Sequence, residues 1–477
     1  MKRIGQNSDI TPLVCVWSIW FLNLSLCLWL VHRAARWFPW SDDWSVVPYL
    51  SGARHLTWSW LWAQHNEHRI PLPKLLWFAE FRLSAGDFRA GVYVNMLMLG
   101  ALAAIVLAGV RKLRGHTVFA DAVFPVALLS WEQGAMHWDF QAQFCISTVC
   151  CLTFVMLVAV YKWYMSLWPT ITTCVVLYLL PLTGVNGLLL AVPLSFTLLG
   201  IVVYRYRGSA NHLVFAETEW SYQRYLTLIM LGSALLTLAT CACWFIHYVP
   251  ISRPHPGIYG TTLATIKFTA AGLEEAKKLW PLSGLYMLAL IGVSAFCCAE
   301  SLRLGRQQNA GSNDKRRWIA LIMSVALATN LFLAVSVGYG RGALSSDFPY
   351  DHYATLSLPI LIVCLITWVL LAPRSSIVFK LAFAAVIMVV LCINERYLFK
   401  AAESRKPDQV IEVELAHDLK FGVPSNTIAA RYVNLLMYED KPELRLLIAD
   451  GIDDLRRSGF ERYAVVQEGN ATTGRTP

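Results

Sequence analysis

Two short polar stretches stand out between the first two long apolar segments. One is Ser41-Asp42-Asp43-Trp44; the other is Gln64-His65-Asn66-Glu67-His68-Arg69-Ile70-Pro71-Leu72-Pro73. A carboxylate held beside a membrane can take the proton of a hydroxyl as that oxygen attacks carbon, and Asp43 or Asp42 suits such a general base. The same side chain could instead cap the helix that follows. In the second stretch His65 and His68 flank Glu67, but the pattern is not His-Glu-x-x-His and no third strong ligand lies near, so no zinc centre is expected. Glu67 and His65 fit the hydroxyls of an acceptor, while His68 and Arg69 fit a phosphate. The plainer alternative is an interfacial turn held by Arg–Glu pairing and lipid headgroups.

Further candidates lie along the chain. Trp131-Glu132 and Trp138-Asp139-Phe140-Gln141-Ala142-Gln143 stand at the ends of apolar segments. Trp138 could stack on the apolar face of a sugar while Asp139 and Gln141 meet its hydroxyls; membrane-belt aromatics are the competing explanation. Arg341, with His352 nearby, offers a planar cation for a phosphate leaving group, and Gly338, Gly340 and Gly342 would allow a close backbone approach. Arg253, Lys267 and Lys277 are rival phosphate partners. Asn186 is most simply a turn residue. No GxxxxGK[ST] loop and no Rossmann fingerprint is present, so a nucleotide donor is poorly supported and a lipid-carried one is expected.

These groups need a scaffold, and composition defines it. Of 477 residues 56% are hydrophobic and 15% charged, against about a quarter charged in soluble chains, and the mean hydropathy is +0.49. Apolar windows near 13–31, 91–110, 118–132, 144–162, 168–184, 187–204, 225–248, 280–299, 318–338, 354–372 and 376–394 predict an all-α polytopic membrane protein with about eleven spans. The window 118–132 is short; if it were re-entrant, every later segment would invert. Basic loops at Arg111–Arg114, Tyr204–Arg207 and Arg303–Arg317 mark one face as cytoplasmic. The net charge of +9 therefore reflects topology rather than nucleic-acid binding. The first loop, 32–90, falls outside, with two interfacial helices and Trp44, Trp58, Trp60, Trp62 and Trp77 at headgroup level. Residues 250–280 form a second outer loop. The division is 1–394 as the membrane domain and 395–477 as a small helical tail, also outside. The twelve cysteines lie in or beside spans, so no disulfide framework is expected. The first apolar stretch is too long for a signal peptide and should remain as a span.

The layout of span one, Asp42-Asp43-Trp44, Ile70-Pro71-Leu72-Pro73-Lys74-Leu75-Leu76 and span two resembles the GT-C superfamily of integral membrane glycosyltransferases. Asn186-Gly187 and Gly340-Arg341 before Tyr353 are also similar to that family. The resemblance implies an inverting transferase of the bacterial inner membrane with its active site facing the periplasm. It would move sugar from a polyprenyl-phosphate donor such as an undecaprenyl-phosphate sugar. The acceptor would be a glycan or glycolipid of the cell surface, such as O-antigen on lipopolysaccharide. No cofactor is required, although a divalent cation is compatible. Departures exist: the usual Asp-Glu of loop one is Asp-Asp, a Lys-Pro-Pro-Leu stretch is replaced by His-Asn-Glu-His-Arg-Ile-Pro-Leu-Pro, and an Arg-Tyr pair reads His352-Tyr353.

Two alternatives remain on sequence. A lipid-linked glycan polymerase or ligase would rely on Arg and His rather than on a loop-one carboxylate. A transporter or lipid flippase would line a pathway with ionisable residues inside spans, where Asp121 is the main candidate.

Overall fold

A backbone in hydrocarbon has no water to bond, so each long apolar run must satisfy its own amides as a helix. The computed structural model describes residues 10–129, 138–161, 166–210, 217–251, 254–307, 312–343, 353–372, 394, 400 and 403–466. Among them, 8 helices are long and apolar enough to cross a membrane. They are α1 (Ile10–Ala34), α5 (Arg89–Arg114), α7 (Ala142–Tyr161), α9 (Val185–Ala210), α10 (Glu217–Cys243), α12 (Leu282–Gln307), α13 (Ser312–Arg341) and α14 (Tyr353–Leu371). The chain is an all-α polytopic membrane protein. Each of these helices coincides with an apolar window of the sequence. The window at 168–184 is the shorter α8 (Leu167–Leu179) with a 3₁₀ turn, Leu180–Thr183. The window at 376–394 falls almost wholly outside the described residues.

The weak window at 118–132 is helical over a 3₁₀ turn, Phe119–Ala122, and α6 (Val123–Leu128). Residues on either side of α6, Asp121 and Asp139, touch opposite ends of α5. Arg114, at the far end, pairs with Asp121, whereas Gly91, near the start, lies against the Asp139 side chain. Those contacts are about 35 Å apart at 1.5 Å per residue. The segment Phe119–Leu128 is shorter than the 8 candidate spans, and the residues that follow it, 130–137, lie outside the described ones. Asp121 also accepts from the Val118 amide at 3.0 Å, so it closes a turn beside Arg114 rather than lining a pathway.

Loop one differs from a pair of long interfacial helices. Its first half holds a 3₁₀ turn, Ser41–Ser45, the single turn α2 (Val47–Leu50) and α3 (Trp58–Trp62); only α4 (Pro71–Leu83) is a full helix, opened by Pro71. Between them a two-residue antiparallel pair, β1 (Gln64–His65) and β2 (His68–Arg69), forms the only sheet among the described residues.

The tryptophans divide accordingly. Trp58 is 71% exposed, but Trp44 and Trp77 are each 2% exposed. Trp44 is covered by the tail, whose helices are α15 (Lys406–Lys420), α16 (Ser425–Leu436) and α17 (Pro442–Arg457). Its indole donates to the Leu436 carbonyl at 3.2 Å, and its ring lies where a Cβ on Gly451 would come within 2.7 Å. Arg405 bonds the Ala34 carbonyl at 3.1 Å and Tyr463 bonds that of Gly86 at 2.8 Å. Tail and loop one therefore share one face.

The second expected loop also has structure. It contains α11 (Gly257–Ala271), packed on the end of α13. The glycines there serve this contact: a Cβ on Gly338 would meet Thr265 Oγ1 at 2.5 Å, and one on Gly342 would meet Ala264 at 2.7 Å. Small residues let the two backbones approach. Gly338–Arg341 is thus the last turn of a helix, not a flexible loop.

Candidate functional site

The β1–β2 hairpin builds the first half of the site. Gln64 faces Arg69 and His65 faces His68, with Asn66 at φ 50° making the tight reversal. The hairpin is bolted down by buried cations. Arg69 donates to the carbonyls of Trp62 at 2.6 Å, Ile246 at 2.8 Å and Trp244 at 2.9 Å. Lys74 donates to those of Trp60 at 2.7 Å and Ala63 at 3.0 Å. Both thereby satisfy carbonyls left open at the end of α3. Burial lowers the Lys74 ammonium to about 8. Arg69, expected at a donor phosphate, has its guanidinium directed to backbone oxygens instead.

What the hairpin presents is Glu67 and His68. Glu67 forms an ion pair with Arg341, the last residue of α13. His68 accepts the Val185 amide on Nδ1 at 3.2 Å, and its Nε2 lies 3.4 Å from Glu67. With Nδ1 as acceptor, a neutral ring carries its proton on Nε2, toward Glu67. Gly184, at φ 122°, permits this approach, since a Cβ there would sit 3.1 Å from His68 Nδ1.

Glu67, His68 and Arg341 line a cavity of about 220 Å³. Its other polar members are Asn186 in the first turn of α9, Tyr353 opening α14, Ser336 of α13, and His255 stacked on Tyr339 at 4.5 Å. Leu189, Leu333 and Leu356, one to two turns farther in, supply apolar wall. Asn186 is more than a turn residue. Its amide donates to Ser147 Oγ at 2.7 Å, and among the described residues its Oδ1 has no hydrogen-bond partner.

The second half of the site is buried. Asp43 accepts the Trp40 amide on Oδ2 and the Trp138 indole on Oδ1, both at 3.0 Å. Burial pushes its carboxyl up to about 7, against the pull of those two donors. Asp43 therefore closes its own 3₁₀ turn, Ser41–Ser45, by reaching back to Trp40, and does not cap the helix that follows: the N-cap of α2 is Val46. Asp42 is more open, its side chain 35% exposed, and its Oδ2 lies 3.9 Å from His65 Nε2. Trp138 meets Trp40 edge-on at 5.0 Å and stacks on Phe140 at 5.1 Å. Asp139 lies buried against Gly91, where a Cβ would come within 1.8 Å of its Oδ1. Gln141 is buried too, and its Oε1 has no partner among the described residues.

Glu80 of α4 joins this group without having stood out in the sequence. It is 6% exposed, faces Asp139, and burial raises its carboxyl to about 7. Two contacts of His65 bridge the halves: it reaches Asp42, and its ring is 5.1 Å from that of Phe140. His352, Arg253, Trp131 and Glu132 lie outside the described residues. Lys267 stands 5.9 Å from the Trp280 ring. Among the described residues, no group of three or more His, Cys, Asp or Glu is placed to hold a metal ion.

Compared with known proteins, the chain matches no family model, no curated protein and no solved structure. The site's chemistry rests on its own geometry. It combines an arginine at the end of a long apolar helix, a carboxylate and an imidazole from loop one, and apolar walls from the helices.

Proposed function

We propose that this protein is an inverting glycosyltransferase that takes sugar from a polyprenyl-phosphate donor and delivers it to a cell-surface glycan or glycolipid. The face bearing loop one and the tail is taken as the periplasmic side of a bacterial inner membrane. The observation that carries this is the cavity under Arg341. A lipid phosphate has a charged head and a hydrocarbon stem, and here a cation sits one to two helical turns above Leu189, Leu333 and Leu356. Arg341 would stabilise the charge growing on the departing phosphate. A loop-one carboxylate would take the acceptor's proton, and Asp42 and Glu67 are better exposed for this than Asp43. Asn186, with an open carbonyl oxygen, would meet a sugar hydroxyl.

The test is to incubate purified protein with a panel of polyprenyl-phosphate sugars and a glycolipid acceptor, following polyprenyl phosphate release. Release with one donor is expected. Movement of lipid across liposomes with no glycosyl product would favour a flippase instead. Asp121, the pathway residue that alternative would use, closes a turn beside Arg114.

A further inference from the structure

We propose that the Arg341–Glu67 ion pair is a latch opened by the donor's phosphate, and that the Glu67 so released is the base that deprotonates the acceptor. The inference rests on the proposed transferase function and adds the residue that carries the proton, together with the event that arms it.

The geometry leads there in three steps. First, Glu67 is the only carboxylate among the described residues lining the cavity, and Arg341 holds it there. A guanidinium–carboxylate pair stabilises the ionised acid and makes it a poor base. Second, the pair is only partly buried, with side chains 24% and 17% exposed, so an incoming anion can reach the guanidinium. A phosphate offers Arg341 the same planar recognition as a carboxylate. Third, a second neighbour of Glu67 and the hairpin that carries it are held from outside the pair. His68 is fixed by the Val185 amide, and the hairpin by the carbonyl bonds of Arg69. Loss of Arg341 therefore takes the cation from the carboxylate while His68, 3.4 Å away, and the loop stay in place.

In the step that follows, the acceptor hydroxyl oxygen bonds to the anomeric carbon. The bond from that carbon to the phosphate oxygen breaks, and its electron pair remains on the phosphate beside Arg341. The hydroxyl proton ends on Glu67. Because the base is masked until phosphate is seated, water is not activated in the empty site.

The experiment measures binding of undecaprenyl phosphate to full-length protein in nanodiscs, with inorganic phosphate as a second arm, and sugar transfer in parallel. Glu67→Gln removes the competitor for Arg341 while keeping side-chain size. The latch predicts about five- to tenfold tighter binding of undecaprenyl phosphate, together with about a hundredfold or greater loss of transfer. Were Glu67 merely a strut that orients Arg341, the same variant would bind more weakly, and that result overturns the latch. Equal binding also overturns it, and retained transfer overturns Glu67 as base. In an Arg341→Gln background the gain from Glu67→Gln should vanish, which guards against an unrelated change in folding. Inorganic phosphate competing as well as the lipid would overturn the lipid as the opener. A wild-type protein that neither binds undecaprenyl phosphate nor transfers sugar would overturn the proposed function itself, and the latch with it.

Discussion

The two halves of loop one use acidic residues in opposite ways. Around Asp43 the acids are sealed: Asp43 answers two N–H donors, and Asp139 and Glu80 lie buried between α4, α5 and α7. Around Glu67 the acid is paired but reachable, at the mouth of a cavity with a cation opposite. Both stretches look equally reactive as strings of residues. What separates them is the tail, which covers Trp44 and with it the turn that bears Asp43. Acids are thus closed off by packing in one place and left at a cavity wall in the other.

The sharpest way to break this contrast is at Arg341. Arg341→Gln should lower sugar transfer by about a hundredfold or more, since one lost oxyanion partner costs on that order. Folding should be kept, as checked by a thermal melt. Transfer within a few-fold of wild type would place the chemistry elsewhere.

Asp43→Asn tests the other side. An amide can accept from only one of the Trp40 and Trp138 donors and turns its NH₂ on the other. The expected result is about 1–3 kcal/mol of destabilisation, read as a lower melting temperature, with donor binding intact in the folded fraction. If Asp43 were instead the base, stability would hold and transfer alone would collapse.

Proton linkage gives a third and smaller effect. Asp43 and Glu80 are both raised to about 7, from ordinary values of 3.8 and 4.5. The folded state holds these protons more tightly than the unfolded chain. Their contribution is therefore full below about pH 4, falls as pH rises to about 7, and is level above that. Glu80→Gln should flatten that slope, seen as melting curves that depend less on pH. An unchanged slope would mean Glu80 is ionised in the folded protein throughout. The smallest effect is expected at Trp58→Ala. That ring is 71% exposed, so stability should shift by less than about 0.5 kcal/mol, in contrast to any truncation of Trp44.

The membrane helices were legible in the sequence because a bilayer leaves the backbone little choice, and long apolar windows find it directly. The partners that define the site were not, because they come from distant parts of the chain. Glu67 meets Arg341, and Asp43 meets Trp138, only once the bundle is assembled. Arg69 reads as a phosphate ligand because nothing local shows that α3 ends in open carbonyls beside it. Glu80 was hidden by ordinary helical company, and its burial depends on Asp139 arriving from another helix. The helix α11 was missed because it is short, polar-punctuated and does not need to span. The Asp42-Asp43-Trp44 pattern lies in the same loop as Glu67, the carboxylate that lines the cavity.

The most direct measurement places a donor in the molecule. A photoreactive polyprenyl-phosphate sugar, with the reactive group on the isoprenoid next to the phosphate, would be crosslinked to the purified protein and the labelled peptides mapped. Label on the α9 and α13 peptides bearing Leu189 and Leu333, lost in Arg341→Gln, is the predicted result. Label confined to the peptides around Asp43 and Asp139, or unaffected by Arg341→Gln, would contradict the account.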